Sequence, residues 1–152
     1  MSLEQLDVPA RLQNPGRTAA WLAKQVELGL AGVDLSLSQY RILSVLAEGS
    51  AMSSSLAERL AVRPPSVTAV IDGLVSRGLV VRTHSEDDRR RIALELTPDG
   101  QHLLEAADQA VTDRLEHIAS GLGPKAAGKA IASLTLWSDA LYAHWANRRA
   151  TR

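Results

Sequence analysis

VRPPSVTAVIDGL, residues Val62–Leu74, sets two prolines directly before an apolar pattern with helical spacing. Proline is tolerated in a helix's first turn because that amide has no intrahelical partner and the fixed φ suits the turn. Pro64 also pushes Arg63 towards extended backbone, which sharpens the turn leading into the helix. Val67, Val70, Ile71, Leu74 and Val75 recur at the 3.6 period and form the expected buried stripe. The opposite face collects Pro65, Ala69, Asp72, Gly73 and Ser76, flanked by Ser66 and Thr68. A face with so little bulk lets the helix backbone approach another surface closely. The competing reading is a helix whose outer face is simply solvated, and the surrounding sequence decides between them.

Upstream, Asn14 to about Gly32 reads as a helix with Leu22, Val26 and Leu30 on one stripe. GVDLSLSQ breaks it, and Ser36 with Gln39 fits a capping box opening a helix that carries Ile42, Leu43 and Leu46 inward to about Gly49. A serine-rich stretch, Met52–Ser55, leads to SLAERL, with Leu56 and Leu60 inward. Ser53 or Ser55 is the expected cap there, and Ser55 with Glu58 makes a second box. Downstream the period changes to two. Leu79–Thr83 reads as a strand, and Arg91–Thr97 alternates with Ile92, Leu94 and Leu96 on one face. HSEDDRRR between them is a charged turn, so the pair is a hairpin. Thr97-Pro98 is an N-cap with an N1 proline, opening a long helix to about Ser120. GLGP breaks that helix, and a last one runs from about Lys125 to Asn147.

Composition narrows the class. The chain has 152 residues, 45% hydrophobic and 22% charged, which suits an ordinary globular domain and argues against disorder. With three Trp, two Tyr and no Phe, its core must be built of Leu, Val, Ile and Ala. Seventeen Lys and Arg balance seventeen Asp and Glu, so the whole chain gives no polyelectrolyte signal for nucleic acid. No apolar run approaches a membrane span and the N-terminus lacks the apolar centre of a signal peptide, so a cytoplasmic location is expected. Without cysteine there are no disulfides, thiolate ligands or thiol switches. No G-x-S-x-G elbow, P-loop or HExxH occurs, and His84, His102, His117 and His144 are scattered. No enzymatic activity, cofactor or metal is therefore expected. Across a dimer, two of these histidines remain a possible metal pair.

Two helices joined by AVRPP and followed by a hairpin with a basic tip have the order of a winged helix-turn-helix. There the second helix enters the major groove N-terminus first, where Ser and Thr hydroxyls, Thr methyls and the helix dipole act. LSLSQYRILSVLAE, SLAERLAVRPPSVTAVIDGLVSRGLVVR and DRRRIALELTPDG resemble the DNA-binding core of the MarR family of bacterial transcriptional regulators. The most specific part is Asp88-Arg89-Arg90 with Leu94, Leu96, Thr97 and Gly100 at the family's spacing. The resemblance covers Leu35 to about Gly100, and the flanking helices match in placement only. Two positions depart from it. Ser85 stands where the family's wing often begins with Asp, and Ala69 where relatives frequently carry Arg. The second departure implies a helix that reads shape and methyl groups more than polar base edges.

The expected fold is mostly α with a small β-hairpin wing. The expected division is an N-terminal dimerisation region at 1–34, a winged helix-turn-helix lobe at 35–100, and C-terminal dimerisation helices at 101–152. The expected DNA-facing residues are Ser54, Arg63, Pro65, Ser66, Thr68, Ala69, Arg77, Asp88, Arg89 and Arg90. Arg90 at a hairpin tip suits a narrow minor groove, with Asp88 holding the guanidinium's direction. Between Ser53 and Thr97 seven Arg face six acidic residues, which predicts modest nonspecific affinity and a shallow salt slope. In the last helix Ile131, Leu134, Leu141 and Trp145 leave one stripe apolar, with Trp137 and Tyr142 beside it. Together with Leu22 and Val26 this stripe is the expected homodimer seam. A twofold pair implies a palindromic operator. The resemblance further implies repression relieved by a small ligand, commonly an aromatic or phenolic acid. The alternative is a winged helix used for protein interaction or assembly without specific DNA binding.

Overall fold

The computed structural model describes residues 14–84 and 92–150. In chain order it holds α1 (Pro15–Leu30), a 3-10 turn (Ala31–Val33), α2 (Leu37–Leu46), α3 (Ser53–Leu60), α4 (Pro64–Ser76), β1 (Val80–His84), β2 (Ile92–Leu96), α5 (Pro98–Ser120) and α6 (Pro124–Ala150). This is the expected mostly helical fold with a two-stranded antiparallel wing. The chain divides into two compact units, Glu27–Ala110 and a second made of the chain up to Val26 together with everything from Val111 onward.

The Glu27–Ala110 unit is built around a core of Leu and Ile. Leu30, Ile42, Leu43, Leu56, Ile71, Leu74, Val80 and Leu94 are its largest fully buried side chains. Each contributes about 1.5–3 kcal/mol of apolar burial. α4 packs on α2, α3 and β1, so the helix that begins with the two prolines is the centre of the lobe. α2 starts with the expected capping box: the Ser36 hydroxyl accepts from the Gln39 amide at 3.2 Å and the Gln39 side chain accepts from the Ser36 amide at 3.0 Å.

α3 starts differently. Its N-cap is Met52, with no side-chain cap bond, and Ser53 and Ser55 lie inside the first turn. Neither the serine cap nor the Ser55–Glu58 box forms. The reason lies across the lobe. Ala51 pairs with Leu94 of β2 through both its amide and its carbonyl, at 3.1 and 2.8 Å. That pairing holds the chain extended up to Met52 and makes Met52 the cap, so the helix begins at Ser53, earlier than a serine cap would set it. The α3–α4 turn is made by Ala61 in the left-handed region, φ 53°, with the Val62 amide donating to the Ala57 carbonyl at 3.1 Å. Leu60 is only half-buried.

In the hairpin, Val80 pairs with Leu96, Arg82 with Leu94 and His84 with Ile92. Ile92 shares the face of Leu94, as its alternation requires, but it is 52% exposed while Leu94 is buried. The shared face expected for Ile92, Leu94 and Leu96 is thus present, with its outer end, Ile92 opposite His84, left exposed.

The return from β2 to α5 is locked by two residues. Thr97 donates its hydroxyl to the Gly78 carbonyl at 2.7 Å and accepts from the Gly100 amide at 3.0 Å, which caps α5. Its own amide donates to the Leu79 carbonyl at 3.1 Å. Gly100 sits so close to Leu79 that a Cβ placed on it would lie 2.1 Å from the Leu79 carbonyl oxygen. The Thr97 and Gly100 spacing thus joins the wing, the end of α4 and the start of α5.

In the second unit, Val111 and Ala119 of α5 are buried, and Arg114 donates through Nε and Nη2 to the Gln25 side-chain oxygen of α1 at 3.1 and 2.7 Å. α6 keeps large apolar side chains at its surface: Leu134, Leu136, Trp137, Leu141 and Tyr142 are all exposed, as is Trp21 on α1.

Candidate nucleic-acid interface

α4 presents a polar, low-bulk surface to solvent. Val67, Ile71 and Leu74 are buried and Val70 and Val75 half-buried, while Pro65, Ser66, Thr68, Ala69, Asp72 and Ser76 are exposed. The faces divide as the periodicity requires.

The helix start is unusual in its amides. Arg63 is the N-cap, in extended conformation (φ −67°, ψ 138°), with prolines in the first turn and no side-chain cap. Pro64 and Pro65 have no N–H at all. The next two amides, of Ser66 and Val67, both donate to the Arg63 carbonyl at 3.1 and 3.3 Å. Pro64, Pro65 and Ser66, three of the four positions that usually leave orphan donors at a helix N-terminus, are thereby accounted for, and the fourth is the amide of Arg63 itself. This modifies the expected use of the helix dipole. With only that amide left over at this N-terminus, most contacts with an anion there must come from side chains. Thr68 donates its hydroxyl back to the Pro64 carbonyl at 3.1 Å, which leaves its methyl and an acceptor lone pair facing outward. Ser76 likewise donates to the Gly73 carbonyl at 2.9 Å.

The arginines of the lobe divide by partner. Arg59 donates to both carboxylate oxygens of Glu48 at 2.7 Å, joining α3 to the end of α2. Arg77, expected to face DNA, donates to the Asp34 carbonyl at 2.9 Å and pairs with the Asp34 carboxylate at 3.7 Å. Its guanidinium fastens the end of α4 to the left-handed turn after α1. Arg82 of β1 pairs with Asp72 of α4. Arg63 is exposed and makes no ion pair among the described residues. Ser54 is exposed in the first turn of α3. The unit contains no lysine, and its twelve acidic residues outnumber eight arginines. Asp88, Arg89 and Arg90 lie outside the described residues.

The Asp72–Arg82 pair was not anticipated from the sequence. The signal was present, because Arg82 shares strand parity with buried Val80 and lies across from buried Leu94. A charged residue on the core-facing parity needs a partner on the covering helix, and Asp72 is the carboxylate that α4 offers.

On the proposed seam, Leu22, Val26, Ile131 and Trp145 are half-buried, and Leu134 and Leu141 are exposed. α5 joins Tyr40 to Asp108: the phenol donates to the carboxylate at 2.5 Å. Burial, then that bond and the Asp108 charge, push the Tyr40 ionisation far above the ordinary tyrosine range. Among the described residues no three His, Asp or Glu side chains come together as a metal site, and no helix is long and apolar enough to cross a membrane.

Comparison with known proteins gives this geometry a family. A profile described as MarR family matches residues 35–92. The HTH-type transcriptional regulator FarR of Neisseria gonorrhoeae is 36% identical over 86 residues, which is 56% of this chain and 59% of FarR. The chain thus spans a little over half the length of FarR. An uncharacterized HTH-type transcriptional regulator of Mycobacterium leprae is 37% identical over 107 residues, 69% of this chain and 75% of that protein. Among solved structures, a transcriptional repressor CouR bound to a 23-mer DNA duplex is 28% identical, with a TM-score of 0.66 over 82% of this chain and 88% of that one. CouR of Rhodococcus jostii, solved with p-coumaroyl-CoA, is 23% identical, with a TM-score of 0.64 over 78% of this chain and 85% of that one. With a profile that matches the lobe from residue 35 to 92, and a relative 37% identical that aligns over 75% of its own length, the chain belongs to the MarR family.

Proposed function

We propose that this protein is a sequence-specific, DNA-binding transcriptional regulator acting as a homodimer on a palindromic operator, and that it represses. The observation that carries the reading is α4: a helix central to the lobe, fixed by a proline start and exposing Pro65, Ser66, Thr68 and Ala69 with no large side chain. Such a face fits into a major groove. With two prolines and a satisfied Ser66 amide in the first turn, the Arg63 and Ser66 side chains make the phosphate and base-edge contacts, and the Thr68 methyl meets thymine methyls. Ser54 at the start of α3 supports the backbone contact. Arg77 serves by bracing α4 rather than by touching DNA. At the tip of the wing Arg90 enters the minor groove, directed by Asp88, with Arg89 beside it.

Ile131, Leu134, Leu141 and Trp145 on α6, with Leu22 and Val26 on α1, form the subunit seam, and Trp137 lies beside it. Two copies set their recognition helices about one DNA turn apart. Release by a small aromatic or phenolic ligand belongs to the same reading, supported by family membership. The proposed location is the cytoplasm, and no catalytic activity is assigned. The acid excess of the Glu27–Ala110 unit favours the second reading, a winged helix that binds protein rather than DNA.

Selection of bound duplexes from a random pool by the purified protein separates the two. Recovery of an inverted repeat with half-sites about one helical turn apart is expected. Recovery of no preferred sequence would leave the protein-interaction reading in place.

A further inference from the structure

The hairpin is attached to α4 in two different ways along its length. Near its base the attachment is apolar: Val80 and Leu94 are buried, and Leu96 is half-buried. Further out, on the same face, the next residue of β1 is Arg82, and beyond it lie His84 and the exposed Ile92. Arg82 stands where the core ends. There the ion pair between Arg82 and Asp72 links the hairpin to α4. Thr83 and Glu95, hydrogen-bonded at 2.8 Å on the other face, tie the strands to each other but not to α4. A two-stranded ribbon is marginally stable alone and twists readily, so its outer half takes its direction from whatever fixes it to the helix. Asp72 is also on the exposed side of α4, where an unpaired carboxylate would repel phosphates.

We propose that Asp72 and Arg82 are positioning residues that set the tilt of the wing against the recognition helix, so that helix and wing engage one operator half-site together. The proposal rests on the DNA-binding reading above and adds a specificity determinant to it. Simple electrostatics and positioning predict opposite signs. Removing the Asp72 charge brings the surface nearer to neutral and favours any DNA. Removing the link lets the wing swing and disfavours only the sequence that needs both contacts.

The test uses Asp72→Asn, Arg82→Gln and the double variant, each titrated against the selected operator and a scrambled duplex of equal length. Both single variants should lower the ratio of operator to scrambled affinity by about tenfold, with coupling strong enough that the double variant loses no more than the worse single one. For Asp72→Asn the scrambled duplex should bind equally or more tightly. Equal tightening on both duplexes would overturn the proposal, since Asp72 would then be a repulsive neighbour only. Equal weakening on both by Arg82→Gln, with Asp72→Asn silent, would make Arg82 a plain phosphate contact. A fall in melting temperature with the ratio unchanged would make the pair merely structural.

A second measurement needs no DNA. The chain has no cysteine, so Ser76→Cys and His84→Cys accept spin labels uniquely. The distance distribution between them should be narrow in the parent and broad in Asp72→Asn. An unchanged distribution would overturn the positioning role even if DNA binding stands. A parent with no operator preference but a broadened variant would instead fault the DNA-binding reading and leave the mechanical link.

Discussion

Gly100→Ala is the substitution for which the structure gives the sharpest magnitude. Gly100 lies in the first turn of α5, where alanine would ordinarily stabilise a helix by up to about 1 kcal/mol. Here the added Cβ would lie 2.1 Å from the Leu79 oxygen and 3.0 Å from both the Leu79 carbonyl carbon and Leu96 Cδ1. Ordinary contact begins at 3.4 Å, so the backbone must part by about 1.3 Å. No flexible side chain can absorb that, because the obstacle is a carbonyl that already accepts from the Thr97 amide. Overpacking of this kind costs about 1–3 kcal/mol, and the Thr97 cap on the Gly100 amide adds about 1 kcal/mol if it is lost. A net loss of about 2–4 kcal/mol corresponds to roughly 5–15 °C in melting temperature for a chain of this length. Circular dichroism melts at one fixed protein concentration measure it, since the proposed dimerisation would make the midpoint concentration-dependent. Gly73→Ala is the internal control. It is helical, its Cβ would meet nothing within 4 Å, and it should melt slightly higher than the parent. A Gly100→Ala protein as stable as the parent would refute the close approach of α5 to Leu79 and with it the lock on the wing.

Replacing Leu134 or Leu141 with Asp should abolish the dimer in sedimentation and operator binding with it, at a cost of several kcal/mol for an unpaired charge in the seam; a variant that stays dimeric would show that the stripe packs elsewhere. For Tyr40, a folded-state ionisation raised above the unfolded value of about 10 contributes stability that is fully present below about pH 10 and is lost as pH rises further. Urea unfolding of Tyr40→Phe should therefore show a deficit at about pH 8 that narrows at about pH 11, and a deficit that widens would contradict the sign. Mild peroxide that spares the methionines should leave DNA affinity unchanged in a chain without cysteine, whereas release reversed by a thiol reductant would refute this.

Periodicity made most of the lobe legible. The Val67, Ile71 and Leu74 stripe, the Ser36–Gln39 box and the Thr97 cap are local patterns whose physics lies within four residues of chain. The failures are long-range. The start of α3 depends on Ala51 pairing with Leu94, 43 residues away, and serine propensity carries no knowledge of that bond. Ile92 obeys its alternation yet is exposed, because alternation assigns a face and does not say how much of that face is covered. Arg77 and Arg82 show the same limit at the site. Both look like free cations beside a recognition helix, and both are paired by the fold, with Asp34 and Asp72. Charge counted along the chain does not tell which arginines remain for a partner.

The most direct test of the central claim is a fluorescence anisotropy titration of the parent and Arg63→Ala, at two salt concentrations, on the selected operator and its scrambled counterpart. The parent should prefer the operator by about a thousandfold or more. Arg63→Ala should weaken binding to both duplexes and reduce the log–log salt slope by about one, because Arg63 is the exposed, unpaired guanidinium at the start of α4. Equal affinity of the parent for the two duplexes, or an Arg63→Ala protein with an unchanged slope, would contradict a DNA-reading role for this face.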